Sequence, residues 1–162
     1  MQKIVITGGL GYIGTELCKI YSGYSWNDKI TVIDNRFISE RVNQIRNWNM
    51  NFIQGDILDK ELIYTYCHDA DIVHHLAGIT DVPRVKSESN KQHDDKIKIV
   101  AEQGTQNILD AISDKCKIIL PSSHVVYEGM EKVKNDIRED EKTSPVLAYS
   151  KSKDFNEKQL KA

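Results

Sequence analysis

A glycine-rich turn directly after the first apolar run constrains this chain most. The run Lys3–Thr7 has the length and the Ile and Val content of a strand, and Gly8, Gly11 and Gly14 follow it where helical spacing begins. In a strand–turn–helix unit the first glycine permits a tight turn, the second leaves room beside the backbone, and the third lets the helix approach the sheet. The start of that helix offers N–H donors and a favourable dipole to an anion. The turn therefore predicts a pyrophosphate-binding loop.

An acidic residue at the end of the second apolar run makes the prediction more specific. A glycine pattern alone would indicate only a shaped loop, but Asp34 lies twenty residues after Gly14. At that place a carboxylate accepts hydrogen bonds from the adenosine ribose of a dinucleotide and repels a 2′-phosphate, which favours NAD over NADP. Arg36 argues for NADP instead, because a nearby guanidinium can bind that phosphate.

Strand-like and helix-like segments alternate along the chain, which predicts an α/β fold with a doubly wound parallel sheet (Rossmann) of about five strands in the order 3-2-1-4-5. The predicted strands are Lys3–Thr7, Lys29–Asp34, Met50–Gln54, Asp71–Leu76 and Lys117–Leu120. The predicted helices are Tyr12–Ser22, Ser39–Trp48, Lys60–Cys67, Lys91–Ser113 and Val146–Lys161. The polar stretch Glu128–Ser144 reads as a surface loop before the last helix.

Composition limits the class of protein. A chain of 162 residues with 40% hydrophobic residues suits one domain over residues 1–162, and a net charge of -2 offers no basic field for nucleic acid or anionic lipid. No apolar window has the length of a membrane span, and the N-terminus does not resemble a signal peptide, so a cytoplasmic location is expected. The three cysteines and five histidines lack the spacing of a disulfide framework or a metal site, and we assign no metal.

Three polar residues near the end of the chain could perform chemistry. Tyr149 and Lys153 are four residues apart and share one helix face, where an ammonium favours the phenolate form of tyrosine. Ser123 follows the fifth strand, at the sheet edge where ligands bind, and could orient the hydroxyl that Tyr149 deprotonates. A tyrosine and a lysine at this spacing also arise by chance, and Ser122 and Ser123 could simply cap a helix or turn.

Together these motifs resemble the extended short-chain dehydrogenases/reductases, specifically the NAD-dependent epimerase/dehydratase group that acts on nucleotide sugars. The resemblance covers the whole chain and is carried by Thr7–Gly14, Asp34-Asn35, Gly55-Asp56-Ile57, His75-Leu76-Ala77-Gly78, Gly104-Thr105, Ser122-Ser123 before Val126-Tyr127, and Tyr149 with Lys153. Where the family usually has Val-Tyr-Gly, this chain reads Val126-Tyr127-Glu128-Gly129.

The resemblance implies a set of cofactor-binding residues. Asp56 and Ile57 resemble the family's adenine contacts, and Leu76, Ala77 and Gly78 resemble the turn that lines the diphosphate and the nicotinamide ribose. The full implied set for NAD is Gly8, Gly11, Tyr12, Ile13, Gly14, Asp34, Asn35, Asp56, Ile57, Leu76, Ala77, Gly78, Tyr149 and Lys153.

The resemblance also implies a catalytic trio of Ser123, Tyr149 and Lys153. By this resemblance Tyr149 would be the acid/base, and Lys153 would also bond the nicotinamide ribose. The substrate would be a UDP- or dTDP-sugar, which would pass through a keto-sugar intermediate. A homodimer through the helices around Lys91–Ser113 and Tyr149 is implied as well. His75 is expected to pack or to bond the backbone rather than to catalyse.

Family members continue about as far again, so this chain is expected to lack the C-terminal substrate-binding portion. One hypothesis is an enzyme of the epimerase/dehydratase class, which retention of the catalytic trio favours. The other is a non-catalytic or incomplete NAD-binding module or fragment, which the missing half favours. We expect the parent activity to be that of the enzyme class and leave open the sugar, the choice among epimerisation, dehydration and reduction, and turnover by this chain alone.

Overall fold

Two compact units make up the fold. The computed structural model describes residues 1–24, 28–80, 89–132 and 134–161. The first unit comprises Met1–Gly78 and Gln103–Pro121, and the second comprises Ile79–Glu102 and Ser122–Ala162.

Five parallel strands form the sheet of the first unit: β1 (Lys3–Thr7), β2 (Lys29–Asp34), β3 (Asn51–Gln54), β4 (Ile72–His75) and β5 (Lys117–Ile119). Their order is β3-β2-β1-β4-β5, which confirms the order expected from the sequence. Strand β1 is central, and Ile6 aligns with Val32 on one side and with His74 on the other. All strand ends lie within one residue of the predicted runs.

Helices follow the first four strands: α1 (Tyr12–Ser22), α2 (Ser39–Asn47), α3 (Lys60–Cys67) and α4 (Lys91–Ala111). The bounds of α1 and α3 agree with the sequence prediction, while α2 and α4 end one and two residues earlier than expected. The start of α3 is fixed by Asp59, whose carboxylate accepts a hydrogen bond from the Leu62 amide at 3.0 Å, as an N-cap residue does.

The central strands are covered on both faces, which explains their uninterrupted apolar runs. In β1 the consecutive residues Ile4, Val5 and Ile6 are each at most 2% exposed although neighbours point to opposite faces. One core cluster joins β1 and β2 to α1 and α2 and contains Ile4, Ile6, Leu10, Cys18, Ile30, Val32, Val42, Ile45 and Met50.

The second unit contains a short 3₁₀ helix (His124–Tyr127), the helix α5 (Ala148–Lys161) and the first part of α4. The 3₁₀ helix was not predicted, because four residues are too few for a hydrophobic period. The described residues of Glu128–Ser144 contain neither helix nor strand, which agrees with the predicted loop. The prediction that α5 begins at Val146 was wrong by two residues, because the amides of Val146 and Leu147 bind a side chain from outside the helix.

The cysteines act as apolar or bystander side chains. Burial raises the pKa of Cys18 and of Cys67 to about 12, so both are protonated thiols at neutral pH. In the part of the chain that the structure describes, no helix combines the length and the apolar character needed to cross a membrane.

Candidate functional site

Gly8 and Gly14 bring the turn after β1 into close backbone contact. Gly8 has a φ of 69°, in the left-handed region that favours glycine, and a Cβ there would lie 2.6 Å from the amide nitrogen of Ala77. A Cβ on Gly14 would lie 2.6 Å from the Gly8 carbonyl oxygen and 2.6 Å from the Gly9 Cα. A side chain at either position would displace backbone atoms, so both glycines are required by the turn itself.

Gly11 is less tightly enclosed than these two glycines, although one backbone oxygen lies close to it. A Cβ on Gly11 would meet only the Gly8 carbonyl oxygen at 3.1 Å and Arg36 Nη2 at 4.0 Å. Within the described residues no side chain caps the start of α1 at Gly11, and the following Tyr12 and Ile13 are 82% and 58% exposed. The first amides of α1 and the positive end of its dipole are therefore available to an anion.

The carboxylate of Asp34 lies at the end of β2, beside this turn. Its Oδ2 accepts hydrogen bonds from the Leu10 amide at 3.0 Å and from Arg36 Nη2 at 3.3 Å. Its Oδ1 accepts from the Arg36 amide at 3.0 Å and from Arg36 Nε at 3.1 Å. The side-chain hydrogen bond with Asp34 raises the pKa of Arg36. Asp34 is thus buried, held against the turn, and covered by a guanidinium.

Three of the residues expected near the adenosine lie close together at the ends of β2 and β3. Asn35 Nδ2 donates to Asp56 Oδ2 at 3.0 Å, and Asp56 Oδ1 accepts from the Leu58 amide at 3.0 Å. Ile57 is buried, and its carbonyl oxygen accepts from Asn107 Nδ2 at 2.9 Å. These bonds fix the loop after β3 to Asn35 and to α4.

A buried polar network fixes the turn after β4. The Leu76 amide donates to the Thr7 carbonyl at 3.1 Å, and the Ala77 amide donates to Thr7 Oγ1 at 3.3 Å. The ring of His75 places Nδ1 3.0 Å from Thr7 Oγ1 and Nε2 2.9 Å from Thr105 Oγ1. His75 is 3% exposed, so it positions the turn from inside the core, as expected for a packing residue.

These parts of the first unit fit a dinucleotide. The start of α1 offers donors for a diphosphate, and Asp34 places a carboxylate beside it that can accept from a ribose once the Arg36 guanidinium moves away. A Cβ on Gly78 would meet no atom within 4 Å, so the turn after β4 has an open side next to these groups. All of them follow the carboxyl ends of parallel strands, where ligands of such sheets bind.

In the second unit, Tyr149 and Lys153 lie on one face of α5. Lys153 Nζ is 5.8 Å from the centroid of the Tyr149 ring, within the range of a cation–π contact. Burial raises the pKa of the Tyr149 phenol and lowers the pKa of Lys153. Both shifts favour the neutral forms, so ionising the phenol requires positive charge near the ring to oppose the effect of burial.

Ser123 begins the 3₁₀ helix, as a capping residue does. Its Oγ accepts a hydrogen bond from the Val125 amide at 3.5 Å, which is long for such a bond. The capping bond is therefore weak. Because the Ser123 oxygen only accepts in this bond, its hydroxyl proton can be donated to another acceptor. Ser122 does not cap the helix: its hydroxyl donates to the carboxylate of Glu157 on α5.

Glu128 joins the 3₁₀ helix to α5. It follows the last residue of the 3₁₀ helix, and its Oε1 accepts from the amides of Val146 at 2.9 Å and Leu147 at 2.7 Å and from the hydroxyl of Ser150. A carboxylate at a helix start satisfies free amides and complements the helix dipole. One side chain thereby sets where the helix that carries Tyr149 begins.

We expect Glu128→Ala to lower the free energy of unfolding by about 1 kcal/mol, the usual cost of losing a cap. Glu128→Gln keeps an acceptor oxygen and should lose less. Burial alone would raise the pKa of Glu128, but hydrogen bonds from Leu147, Ser150 and Val146 hold it below its ordinary value. The charge therefore stabilises above the ordinary pKa and ceases to do so as the pH falls through the lowered one.

Urea unfolding of the wild type and both variants, at neutral pH and at pH 3 to 4, measures these differences. A wild type no more stable than Glu128→Ala at neutral pH would show that the carboxylate does not cap α5.

Comparison with known proteins places this chain in a family. The model of the 3-beta hydroxysteroid dehydrogenase/isomerase family matches residues 5–162. The chain belongs to this family. The match confirms the resemblance to the extended short-chain dehydrogenases/reductases, a group that includes this family.

Several relatives of the chain are named as nucleotide-sugar enzymes. A dTDP-D-glucose 4,6-dehydratase of Dictyostelium discoideum is 33% identical over 78% of the chain and 30% of its own length. A UDP-glucose 4-epimerase of Neisseria meningitidis serogroup C is 30% identical over 99% of the chain and 48% of its own length. The crystal structure of UDP-glucose 4-epimerase from Brucella ovis in complex with NAD is 26% identical and superposes with a TM-score of 0.79 over 99% of the chain and 47% of that protein. The chain thus spans half the length of these relatives or less.

Sequence reasoning did not identify the structural roles of Arg36 and Glu128. Arg36 was considered only as a partner for a phosphate, although it is bonded to Asp34. Glu128 was noted only as a departure from the family pattern, and that departure was the available signal. The contacts of Thr7 and Thr105 with His75 join residues far apart in the chain, and no spacing predicts them.

Proposed function

We propose that this chain is the NAD-binding half of a nucleotide-sugar epimerase or dehydratase. The observation that carries the proposal is the position of Lys153 Nζ 5.8 Å from the centroid of the Tyr149 ring on one face of α5. A module that only binds a dinucleotide has no need of a phenol with an ammonium beside it. Residues 1–162 are proposed to form the whole or the N-terminal part of this Rossmann domain.

The proposed reaction starts with oxidation of a sugar hydroxyl. Tyr149 accepts the hydroxyl proton while Ser123 donates a hydrogen bond that orients the same oxygen. Lys153 supplies positive charge that opposes the effect of burial on the phenol. When bound, NAD would supply the oxidising equivalent by accepting a hydride from the carbon that carries the hydroxyl. Tyr149 then holds the proton that is returned when the keto-sugar is reduced.

The residues of the first unit are proposed to hold the cofactor. The amides at the start of α1 bind the diphosphate, Asp34 binds the adenosine ribose, and Asp56 and Ile57 lie against the adenine. The carboxylate of Asp34 supports NAD over NADP. The glycine-rich turn, with Tyr12 and Ile13 exposed beside it, supports this assignment.

The proposed substrate is a UDP- or dTDP-sugar. The support comes from the relatives, one a UDP-glucose 4-epimerase and another a dTDP-D-glucose 4,6-dehydratase. The cytoplasm remains the proposed location.

The alternative function is that of an NAD-binding module or fragment that does not turn over. It is supported by the short span of the chain, which covers 48% of one relative and 47% of another. The two functions differ in one measurable respect, which is turnover.

A homodimer is proposed through the second unit. Two large apolar side chains are exposed on its helices: Ile99 on α4 is 54% exposed and Phe155 on α5 is 39% exposed. A groove of about 580 Å³ is lined by residues of the same two helices, including Asp95, Lys98 and Lys151. Apolar side chains ringed by charges of both signs suit a self-complementary interface.

We expect residues 1–162 to form a dimer that does not by itself epimerise or dehydrate a nucleotide sugar. Strand β5 is at an edge of the sheet in the first unit, and an unpaired edge is normally covered by further chain. Dimerisation would cover α4 and α5 without supplying the substrate-binding portion. Sedimentation and turnover assays with UDP- and dTDP-sugars test both statements. A monomer that converts such a sugar efficiently would contradict them.

A further inference from the structure

We propose that the side chain of Arg36 occupies the ribose-binding edge of Asp34 and sets how strongly the chain discriminates between NAD and NADP. This inference rests on the proposed function, because it assumes that a dinucleotide binds at the glycine-rich turn. It goes beyond that function by assigning a role to a residue of this chain that competes with the cofactor.

The hydrogen bonds of Asp34 carry the argument. A carboxylate has about four acceptor sites, and the structure places four donors on the two oxygens of Asp34. Two of these donors are the backbone amides of Leu10 and Arg36, which are fixed by the turn. The other two are Nε and Nη2 of Arg36, one on each oxygen. Moving the guanidinium away therefore frees one acceptor site on each oxygen.

Two free sites, one on each oxygen, are what a ribose requires when its 2′- and 3′-hydroxyls both donate to one carboxylate. The guanidinium thus holds the same two positions that the ribose would use. The cofactor and the Arg36 side chain cannot both satisfy Asp34, so binding of NAD requires Arg36 to leave.

The side chain of Arg36 is free to make this movement. It is 55% exposed, whereas that of Asp34 is 4% exposed. The exposed guanidinium regains water when it leaves, while the ribose hydroxyls replace its hydrogen bonds to the buried carboxylate. Arg36 Nη2 also lies 4.0 Å from where a Cβ on Gly11 would be, so the guanidinium extends along the turn toward the diphosphate site.

Displaced from Asp34, the guanidinium remains beside the ribose. A planar guanidinium with several donors suits a 2′-phosphate, which it can bind through two parallel hydrogen bonds. Asp34 repels the same phosphate. Arg36 therefore weakens NAD binding by competition and strengthens NADP binding by attraction, and both effects reduce the preference that Asp34 creates.

Calorimetric titration of the full chain with NAD and with NADP tests this role. We expect Arg36→Ala to tighten NAD binding by roughly threefold to tenfold and to weaken NADP binding by a similar factor, so that the ratio of the two dissociation constants rises at least about tenfold. Arg36→Lys keeps the charge but not the paired donors, and its ratio should fall between those of the wild type and Arg36→Ala.

Arg46→Ala is the matched control, because it removes an exposed positive charge of the same kind from the end of α2. It should leave both dissociation constants unchanged. The proposal is overturned if Arg36→Ala weakens NAD as much as NADP, or if it changes the ratio no more than Arg46→Ala does. A wild type that is folded by circular dichroism and binds neither dinucleotide would overturn the proposed function as well.

Discussion

Turnover should fall on the order of a thousandfold when Tyr149 is replaced by Phe, while the affinity for NAD changes little. The substitution keeps the ring that lies under Lys153 Nζ and removes only the group that exchanges a proton. Turnover should be measured with the shortest polypeptide that contains residues 1–162 and converts a UDP- or dTDP-sugar. Lys153→Met and Ser123→Ala should give smaller losses, because each supports the step that Tyr149 performs.

The pH dependence provides a second readout. Burial raises the pKa of Tyr149, so the fraction of phenolate, and with it kcat/KM, should increase with pH in the wild type. That rise should be absent from the residual activity of Tyr149→Phe. The control is Tyr64→Phe, which removes a phenolic hydroxyl from the exposed face of α3. Wild-type turnover by Tyr149→Phe would remove the proposed mechanism.

The architecture of the first unit was predictable because local signals and the global fold agree. In β1 the three consecutive apolar residues Ile4, Val5 and Ile6 indicate a strand covered on both faces without any knowledge of its neighbours, and all three are buried. The right-handed crossover rule then leaves few possible strand orders. In the first unit the errors were confined to the ends of elements. In the second unit the 3₁₀ helix was missed, and a side chain from outside the last helix decides where that helix begins. That side chain is Glu128, which binds the amides that precede α5.

The site was predictable only in part. The spacing from Gly14 to Asp34 predicts which carboxylate lies beside the turn, because it follows from one strand–helix–strand unit. The bonding of that carboxylate depends on the rotamer of Arg36, and no sequence pattern specifies a rotamer. The network from Thr7 through His75 to Thr105 depends on strands and helices that meet only after folding. The sequence therefore predicts which residues lie near the turn when they belong to one strand–helix–strand unit. It does not predict the hydrogen bonds that these residues make.

A second large effect is expected at Gly11, on the affinity for NAD, because the surroundings of Gly11 differ from those of Gly8 and Gly14. Gly11→Val should reduce NAD affinity at least about a hundredfold and leave the fold intact. The added Cβ would lie 3.1 Å from the Gly8 carbonyl oxygen and 4.0 Å from Arg36 Nη2, so the turn has to yield by a few tenths of an ångström, far less than at Gly14. The added atoms would extend into the space in front of the α1 amides, where a diphosphate needs direct access to the backbone.

Gly14→Val and Gly23→Val separate the loss of binding from the loss of structure. A Cβ on Gly14 would lie 2.6 Å from the Gly8 carbonyl oxygen, so Gly14→Val should lose circular dichroism and cooperative unfolding together with binding. Gly23, at the other end of α1, would place its Cβ no closer than 3.4 Å to any neighbour, and Gly23→Val should keep both fold and affinity. Calorimetry and circular dichroism on the three variants distinguish these outcomes. If Gly11→Val binds NAD as the wild type does, the diphosphate does not lie against the start of α1, and the assignment of the glycine-rich turn is wrong.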